Sequence, residues 1–376
     1  MIGEKLSLRV LVVIGTRPEA IKMAPVVRAL QRHREQVTVR VCATAQHRQM
    51  LDQVLQLFGI QPDIDLDIMQ ADQTPSRVAA AVLTGMEEVL AYERPDWLLV
   101  QGDTTTVMAA AIAAHHARVR VGHVEAGLRS GDKANPFPEE ANRIIADHLS
   151  DLCFAPTERA RRNLLRESIP EHAIVVTGNT VVDALLEVAA QPWQPGADSP
   201  LAQLPANGRL ILVTAHRRES FGAPLRDICR ALRQLAARGD VTIAYPVHLN
   251  PNVHDVVWQE LGNVPGVVLL PPLDYRSLVY LMQRSYLILT DSGGIQEEAP
   301  SLGVPVLVLR HVTERPEALE AGVARLVGSE TEAIVATASR LLDDAAAYAR
   351  MRRAVNPYGD GHAAERIVAA LLERSI

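Results

Sequence analysis

Short apolar runs alternate with longer segments of helical periodicity along this chain, and that alternation limits the possible folds more than any other feature. The runs in the first half are rich in Val, Ile and Leu and span residues 10–14, 37–42, 97–100, 119–121 and 174–176. Helix-patterned segments such as 26–36, 77–92 and 157–166 lie between them. Repeated strand, helix and strand segments predict a doubly wound parallel sheet, so we expect a Rossmann-like first domain.

The second half of the chain repeats the pattern. Its apolar runs span residues 210–214, 241–245, 267–270, 286–290 and 304–309. The segment 191–208 is rich in Pro, Ala and Gly, and we interpret it as the connection between two domains. A length of 376 residues suits two such domains. We therefore predict an α/β protein with two Rossmann-like, doubly wound parallel-sheet domains facing each other across a cleft, with ligands bound at the carboxyl ends of the strands.

Composition excludes several classes of function. The net charge is −6 and basic residues are interspersed with acidic ones, which argues against a nucleic-acid partner. The apolar run 11–14 is far too short for a signal-peptide core or a membrane span. Cys42, Cys153 and Cys229 lack metal-ligand spacing, so we expect buried thiols in a reducing cytoplasm and no metal site.

Two glycine-containing strand ends have the character of anion sites. The segment 15–22, GTRPEAIK, combines a turn glycine and a helix start with Arg17 and Lys22, although Thr16 as a simple cap and a solvated Arg17 explain it equally well. In the segment 291–298, DSGGIQEE, the two glycines would let a diphosphate approach backbone N–H groups. Glu298 lies about one turn further on, where it could accept from ribose hydroxyls. An ordinary capped helix is the alternative for this segment, and a solvated loop arginine is the alternative for Arg315, which could contact phosphate.

Three carboxylates follow strands of the first domain and suggest proton transfer, because acids beside an anionic ligand are repelled by it. They are Asp103, Glu125 and Glu139. Each also has a structural interpretation: Asp103 as a helix cap, Glu125 as a buried partner of Arg129, and Glu139 as a first-turn charge. His216 ends a strand of the second domain beside Arg217 and would contact phosphate or assist the leaving group.

Four motifs together resemble those of bacterial non-hydrolysing UDP-N-acetylglucosamine 2-epimerases. They are GTRPEAIK at 15–22, VEAGLR at 124–129, HRRE at 216–219 and DSGGIQEE at 291–298. Several long motifs in a fixed order are far more specific than one glycine loop. The resemblance implies the GT-B fold, a homodimer and a last helix that crosses back to the first domain. The expected domains are 1–178, which carries the catalytic acids, 179–360, which binds UDP, and the returning helix 361–376.

The resemblance also implies roles for individual residues. The catalytic group would comprise Asp103, Glu125, Glu139 and His216. The substrate-binding group would comprise Arg17, Lys22, Ser292, Gly293, Gly294, Glu298 and Arg315. The implied reaction inverts C2 of UDP-N-acetylglucosamine through loss and re-addition of UDP, with 2-acetamidoglucal as intermediate. It is redox-neutral and needs no cofactor and no metal, and it would supply polysaccharide biosynthesis.

A second, allosteric substrate site occurs in some of these relatives, and Gln46, Gln49, Arg217 and His248 resemble its lining. Asp72 stands where those relatives carry arginine, so activation by substrate stays open. The alternatives to an epimerase are a GT-B glycosyltransferase, a hydrolysing epimerase that liberates UDP at every turnover, and a sensor that binds UDP-sugar unchanged.

Overall fold

The computed structural model of the protein describes residues 7–44, 48–68, 70 and 73–374, without the side chains of residues 48–50. The chain divides into two compact units. The first unit comprises Met1–Ala184 and Tyr358–Ile376, and the second comprises Leu185–Pro357. Among the described residues, no helix has the length and hydropathy required to cross a membrane.

The first unit begins with alternating strands and helices in the described part of the chain. Its strands are β1 Leu8–Ile14, β2 Val37–Ala43, β3 Ile64–Asp65, β4 Trp97–Gln101, β5 Arg120–Val124, β6 Leu152–Ala155 and β7 Ile174–Val176. Its helices are α1 Arg17–Arg32, α2 Arg48–Leu57, α3 Pro75–Glu93, α4 Thr105–His116, α5 Glu139–Leu149, α6 Glu158–Arg166 and α7 Thr180–Ala189, which runs on into the second unit.

The second unit repeats this organisation, and the last helix then returns to the first unit. The strands are β8 Arg209–Thr214, β9 Val241–Pro246, β10 Val267–Leu270, β11 Ser285–Thr290, β12 Val306–Val308 and β13 Ala324–Leu326. The helices are α8 Ala223–Ala236, α9 Pro251–Leu261, α10 Tyr275–Arg284, α11 Gly293–Glu298, α12 Pro316–Glu320, α13 Thr331–Asp343 and α14 Ala345–Arg352, followed by α15 Ala363–Glu373.

Both sheets are parallel and doubly wound, as the alternating pattern predicts. Within the described residues, the strand order is β3-β2-β1-β4-β5-β6-β7 in the first unit and β10-β9-β8-β11-β12-β13 in the second. In the first unit the chain adds strands on one side of β1 and then crosses to β4 on the other side. In the second unit it does the same from β8 to β11. The carboxyl ends of β1 and β4, and those of β8 and β11, therefore flank a topological switch point in each sheet, where ligands bind in such folds.

The cores explain why these segments became strands and helices. Strand β4 is buried along its whole length, as expected for a parallel sheet covered on both faces. Helix α4 presents buried alanines at positions 109–111, 113 and 114, which allow it to lie close to the sheet. Burial of one Val, Leu or Ile side chain contributes about 1.5–3 kcal/mol.

The segment 191–208, predicted to connect the domains, lies entirely within the second unit, so that prediction is wrong. The division instead falls between Ala184 and Leu185, inside α7. The segment packs on α10, where Arg276 Nη2 donates to Gln191 Oε1 over 2.9 Å. Composition favoured a linker because a Pro- and Ala-rich sequence gives no signal that the segment packs against a helix. The C-terminal part rejoins the first unit from Tyr358, and α15 packs against α1.

The three cysteines are free and buried, as predicted. Burial raises the pKa of the Cys42 and Cys229 thiols to about 12 and also raises the pKa of Cys153. Thiols with such raised pKa values carry little thiolate near neutral pH and behave as small hydrophobic groups.

Candidate active site

The turn after β1 is built around a buried carboxylate. Glu19 Oε2 accepts from Gly15 N over 2.6 Å and from Thr16 N over 3.2 Å, which forms a capping box at the start of α1. Burial raises the pKa of Glu19 to about 7, although the hydrogen bond from the Gly15 N–H opposes that rise. The structural interpretation of Thr16 as a cap is therefore confirmed. The cap at Thr16 occurs together with Arg17 and Lys22, which lie on the first turns of α1.

Glu125 follows β5 and is held by donors from other elements of the first unit. Lys22 Nζ contacts Oε1 as an ion pair, and Gln101 Nε2 donates to Oε2. Asn179 Nδ2 donates to Oε1 over 2.9 Å. Glu125 has a φ of 69°, a left-handed conformation that is uncommon for a side chain other than Gly, Asn or Asp.

Asp103 lies just after β4 and is paired with Arg143 of α5, whose Nη2 contacts Oδ2. The same guanidinium donates from Nη1 to Glu140 Oε2 over 3.1 Å. Asp103 does not cap α4, because Thr104 Oγ1 accepts from Val107 N at 3.3 Å. Glu139 is the half-buried first residue of α5, and no hydrogen bond or ion pair joins its side chain to the described residues. One arginine thus links the Asp103 loop to the first turn that carries Glu139.

A buried network beneath these strand ends holds the loops in place. His123 Nδ1 lies 2.6 Å from Asp147 Oδ1, and His123 Nε2 lies 2.7 Å from the carbonyl oxygen of Gly102. Since a carbonyl oxygen only accepts, Nε2 carries a proton. Burial would raise the pKa of Asp147, but His123 and Arg129 hold it below its ordinary value.

Arg129 pairs with Asp147 and with Glu167, Nη2 lying 2.6 Å from each carboxylate. The suggested pairing of Glu125 with Arg129 is therefore wrong. Arg129 faces the buried network, while Glu125 accepts from the residues that surround the end of β5.

In the second unit, Asp291 organises the ends of β8 and β11. Its buried Oδ2 accepts from His216 N and from Arg217 N, each over 2.7 Å. The His216 and His248 rings stack, with centroids 5.4 Å apart and planes 9° apart. Partial burial lowers the pKa of His216 more than nearby Asp291 raises it. This favours a neutral imidazole at neutral pH, suited to donate or accept one hydrogen bond.

The glycines after β11 lie beside an arginine, as the anion-site interpretation requires. A Cβ placed on Gly293 would lie 3.7 Å from Cζ and Nη2 of Arg315. Arg315 Nε pairs with the buried carboxylate of Glu297, and Arg315 N donates to Thr313 Oγ1 over 3.1 Å. Arg315 is only 15% exposed, which contradicts the alternative of a solvated loop arginine.

Glu298 ends α11 and is 6% exposed. The hydroxyl of Tyr275, at the start of α10, donates to Glu298 Oε1 over 2.7 Å. A Cβ on Gly294 would lie 3.7 Å from Glu298 Oε2. The carboxylate therefore lies next to the glycine turn with one oxygen fixed by a phenol.

Sequence reasoning missed several residues that hold these side chains: Gln101, His123, Arg143, Asn179, Tyr275 and Asp291. Gln101 and His123 each lie two residues before a predicted acid, and that position at a strand end was the available signal.

Gln46 lies outside the described residues, as does the side chain of Gln49, whereas Arg217 and His248 lie on the second unit. In the described part of the chain, His, Cys, Asp and Glu side chains form no group of three or more that could hold a metal ion.

Two Rossmann-like units, each built on a doubly wound parallel sheet, are the domains of the GT-B class of fold. Comparison with known families then identifies this chain more closely. The model of the family described as UDP-N-acetylglucosamine 2-epimerase matches residues 28–372, and the chain belongs to that family.

Individual relatives agree over nearly the whole chain. The UDP-N-acetylglucosamine 2-epimerase of Salmonella typhimurium is 54% identical over 370 residues, covering 97% of this chain and 98% of the relative. That of Yersinia pestis is 53% identical, with coverage of 98% and 100%. The crystal structure of the Neisseria meningitidis UDP-GlcNAc 2-epimerase bound to UDP-GlcNAc is 46% identical, covers 97% of this chain and 100% of that chain, and has a TM-score of 0.88.

Proposed function

We propose that this protein interconverts UDP-N-acetylglucosamine and UDP-N-acetylmannosamine by inverting C2 of the sugar. The observation that carries the proposal is the pair of acids that follow the neighbouring strands β4 and β5 of the first unit, with Asp103 paired to Arg143 and Glu125 to Lys22. Membership of the epimerase family and the UDP-GlcNAc bound to the Neisseria relative support the choice of substrate.

The proposed reaction is an elimination followed by a re-addition. A carboxylate takes the proton from C2 while the bond between C1 and the diphosphate oxygen breaks, and UDP leaves with the electron pair. A double bond forms between C1 and C2, which gives 2-acetamidoglucal. In the second half, UDP adds back at C1 and a carboxylic acid returns a proton to the other face of C2. The reaction is balanced without an oxidant, a reductant or water.

The acids of the first unit suit the two proton transfers, which need groups on both faces of the ring. Asp103, Glu125 and Glu139 are the groups we assign to them. Glu125 is held in place by its ion pair with Lys22, and Asp103 by its ion pair with Arg143. Because no carbonyl acidifies the C2 proton, the leaving diphosphate must be stabilised strongly as the C1 bond breaks.

The second unit supplies the nucleotide contacts in this proposal. Ser292, Gly293, Gly294 and Arg315 would hold the diphosphate, and Glu298 would accept from the ribose hydroxyls. His216 would contact the phosphate from the end of β8, while Arg17 and Lys22 of the first unit would add positive charge. The pairing of Arg315 with Glu297 supports this assignment, because it holds the guanidinium next to Gly293.

The proposal also covers the type of epimerase, its compartment, its oligomeric state and the process it supplies. We assign the protein to the non-hydrolysing type, as a cytoplasmic homodimer that supplies polysaccharide biosynthesis. The three buried free thiols suit a reducing compartment. Light scattering of the purified protein would test the dimer.

Proton NMR of the enzyme with UDP-N-acetylglucosamine in deuterated water tests the activity. Formation of UDP-N-acetylmannosamine with deuterium at C2 is the expected result. Free N-acetylmannosamine with UDP would indicate the hydrolysing type. Substrate that binds but stays unchanged would contradict an epimerase and favour a sensor.

The acids are tested by Asp103→Asn, Glu125→Gln and Glu139→Gln, with exposed Glu88→Gln of α3 as the matched control. We expect the first three to lose at least about a hundredfold in kcat while still binding UDP, since each removes a proton-transfer group. The control should keep full turnover. Near-normal turnover in all three would refute the assignment.

A further inference from the structure

The side chain of Asn179 connects the turn before α7 to the carboxylate of Glu125. Asn179 Nδ2 donates to Glu125 Oε1 over 2.9 Å, and Asn179 Oδ1 accepts from Val181 N over 3.1 Å. The residue is only 2% exposed. The side-chain oxygen therefore caps the first turn of α7, and this orients the amide nitrogen toward the acid.

The C-terminal segment holds this turn in place. Asn179 N donates to the carbonyl oxygen of Tyr358 over 2.6 Å. Gly178 and Gly359 pack backbone to backbone, and a Cβ on Gly178 would lie 3.2 Å from the Gly359 Cα. Gly178 also has a φ of 88°, so glycine is required there for both conformation and space. Ala364 N then donates to Asp183 Oδ1 over 2.8 Å, which anchors the start of α15 to α7.

We propose that Asn179 is a positioning residue for catalysis, which fixes Glu125 in its ionised form and in a single orientation. The inference rests on the proposed function, in which Glu125 acts on the C2 proton. The inference adds to the site a residue that lies 54 positions from Glu125 in the chain, outside the loops that carry the acids.

The physical basis is selective stabilisation of one protonation state. An amide N–H donor stabilises a carboxylate more strongly than the protonated acid, whose oxygen is the weaker acceptor. The neighbouring elements carry other charged and titratable groups: Lys22 on α1, Asp103 after β4, Arg143 on α5, and the His123–Asp147 pair. None of these changes when the amide of Asn179 is replaced, so the effect of the replacement can be measured separately.

The test uses Asn179→Ser and Asn179→Asp. Both substitutes are preferred helix N-caps, so the start of α7 is kept while the amide donor is lost. Loss of the donor makes the Glu125 carboxylate less stable, so the acidic limb of the kcat/KM profile should move to higher pH by about one unit in Asn179→Ser. Asn179→Asp adds a negative charge beside Glu125 and should shift that limb further.

Asn250→Ser is the matched control, because Asn250 also caps a helix, α9, through its side-chain oxygen but belongs to the second unit. Its profile should match that of the wild type. Unchanged profiles for both Asn179 variants, with normal melting temperatures, would overturn the inference. An equal loss of rate at every pH would also overturn it, since that indicates a purely structural role.

Failure of the proposed function would be distinguishable from failure of this inference. If wild-type protein exchanges no C2 proton, the proposed function fails before any variant is compared. If the wild type is active and the Asn179 profiles do not move, only the positioning role is wrong. UDP binding, which we assign to the second unit, should stay unchanged in both variants and reports that they are folded.

Discussion

The phenol of Tyr275 donates a hydrogen bond to Oε1 of Glu298 over 2.7 Å, and both residues are buried. Tyr275 begins α10 while Glu298 ends α11, so the contact joins two helices of the second unit. A buried carboxylate that accepts from a fixed donor has a restricted orientation. If Glu298 binds ribose, its affinity for the hydroxyls depends on this phenol.

Tyr275→Phe should therefore weaken UDP binding by roughly tenfold, because it removes a hydrogen bond to a charged group. The loss should be smaller for 2′-deoxy-UDP, which lacks one of the hydroxyls that Glu298 would bind. Titration calorimetry with both nucleotides measures the two losses. Tyr280→Phe, on the same helix, is the control and should bind as the wild type does. Equal losses for both nucleotides would place the effect away from the ribose.

Arg315→Lys should reduce UDP affinity by about tenfold or more although the positive charge is kept. Lysine cannot reproduce the planar fork that pairs with Glu297 through Nε and presents Nη2 beside Gly293. Calorimetry with UDP measures the loss, and Arg340→Lys on the exposed face of α13 serves as the control. Wild-type affinity in Arg315→Lys would show that the guanidinium does not contact the diphosphate.

Two glycines in the segment after Glu125 allow the cost of a steric clash to be measured apart from the cost of backbone strain. Gly127 and Gly131 have φ values of 82° and 81°, but a Cβ on Gly127 would lie 2.4 Å from the carbonyl oxygen of Ala160. No described atom beyond its chain neighbours lies within 4 Å of a Cβ on Gly131.

Gly131→Ala should lower the free energy of unfolding by about 1 kcal/mol. Gly127→Ala should cost at least about 3 kcal/mol, because it adds a clash with backbone to the same strain. Urea titration of both variants measures the difference. Similar costs would mean that the loop carrying Gly127 can move away from α6.

The buried carboxyl of Glu19 should make stability depend on pH. Burial raises its pKa from 4.5 to about 7, so the folded state binds this proton more tightly than the unfolded state does. Stability from this group is therefore fully present below about pH 4.5 and is lost as the pH rises to about 7, by an amount on the order of 3 kcal/mol.

Glu19→Gln should remove that component, which urea titrations at pH 5 and pH 8 would measure. The variant should lose less stability between the two pH values than the wild type does. Glu35→Gln, at an exposed position, is the control and should retain the wild-type pH dependence. An unchanged difference in Glu19→Gln would mean that Glu19 is ionised throughout this range.

The strand ends were largely predictable because an apolar run stops where a parallel strand emerges from the core. Residues placed there by pattern, such as Asp103, Glu125 and His216, do follow β4, β5 and β8. Strand β6, Leu152–Ala155, was missed although it is no shorter than the predicted run 174–176. Strand β13 and the boundary inside α7 were missed as well, because no change of composition or periodicity marks them.

The sequence by itself determined the two doubly wound sheets, the burial of the three cysteines and the strand ends that carry charge, because each depends on local pattern and hydropathy. Its ordered motifs also determined the family. Only the tertiary structure decided which groups hold these side chains: Asn179 on Glu125, Arg143 on Asp103 and Tyr275 on Glu298. These pairs are 23 to 54 residues apart, so their contact depends on how the crossover helices return the chain to the sheet, which local periodicity does not encode.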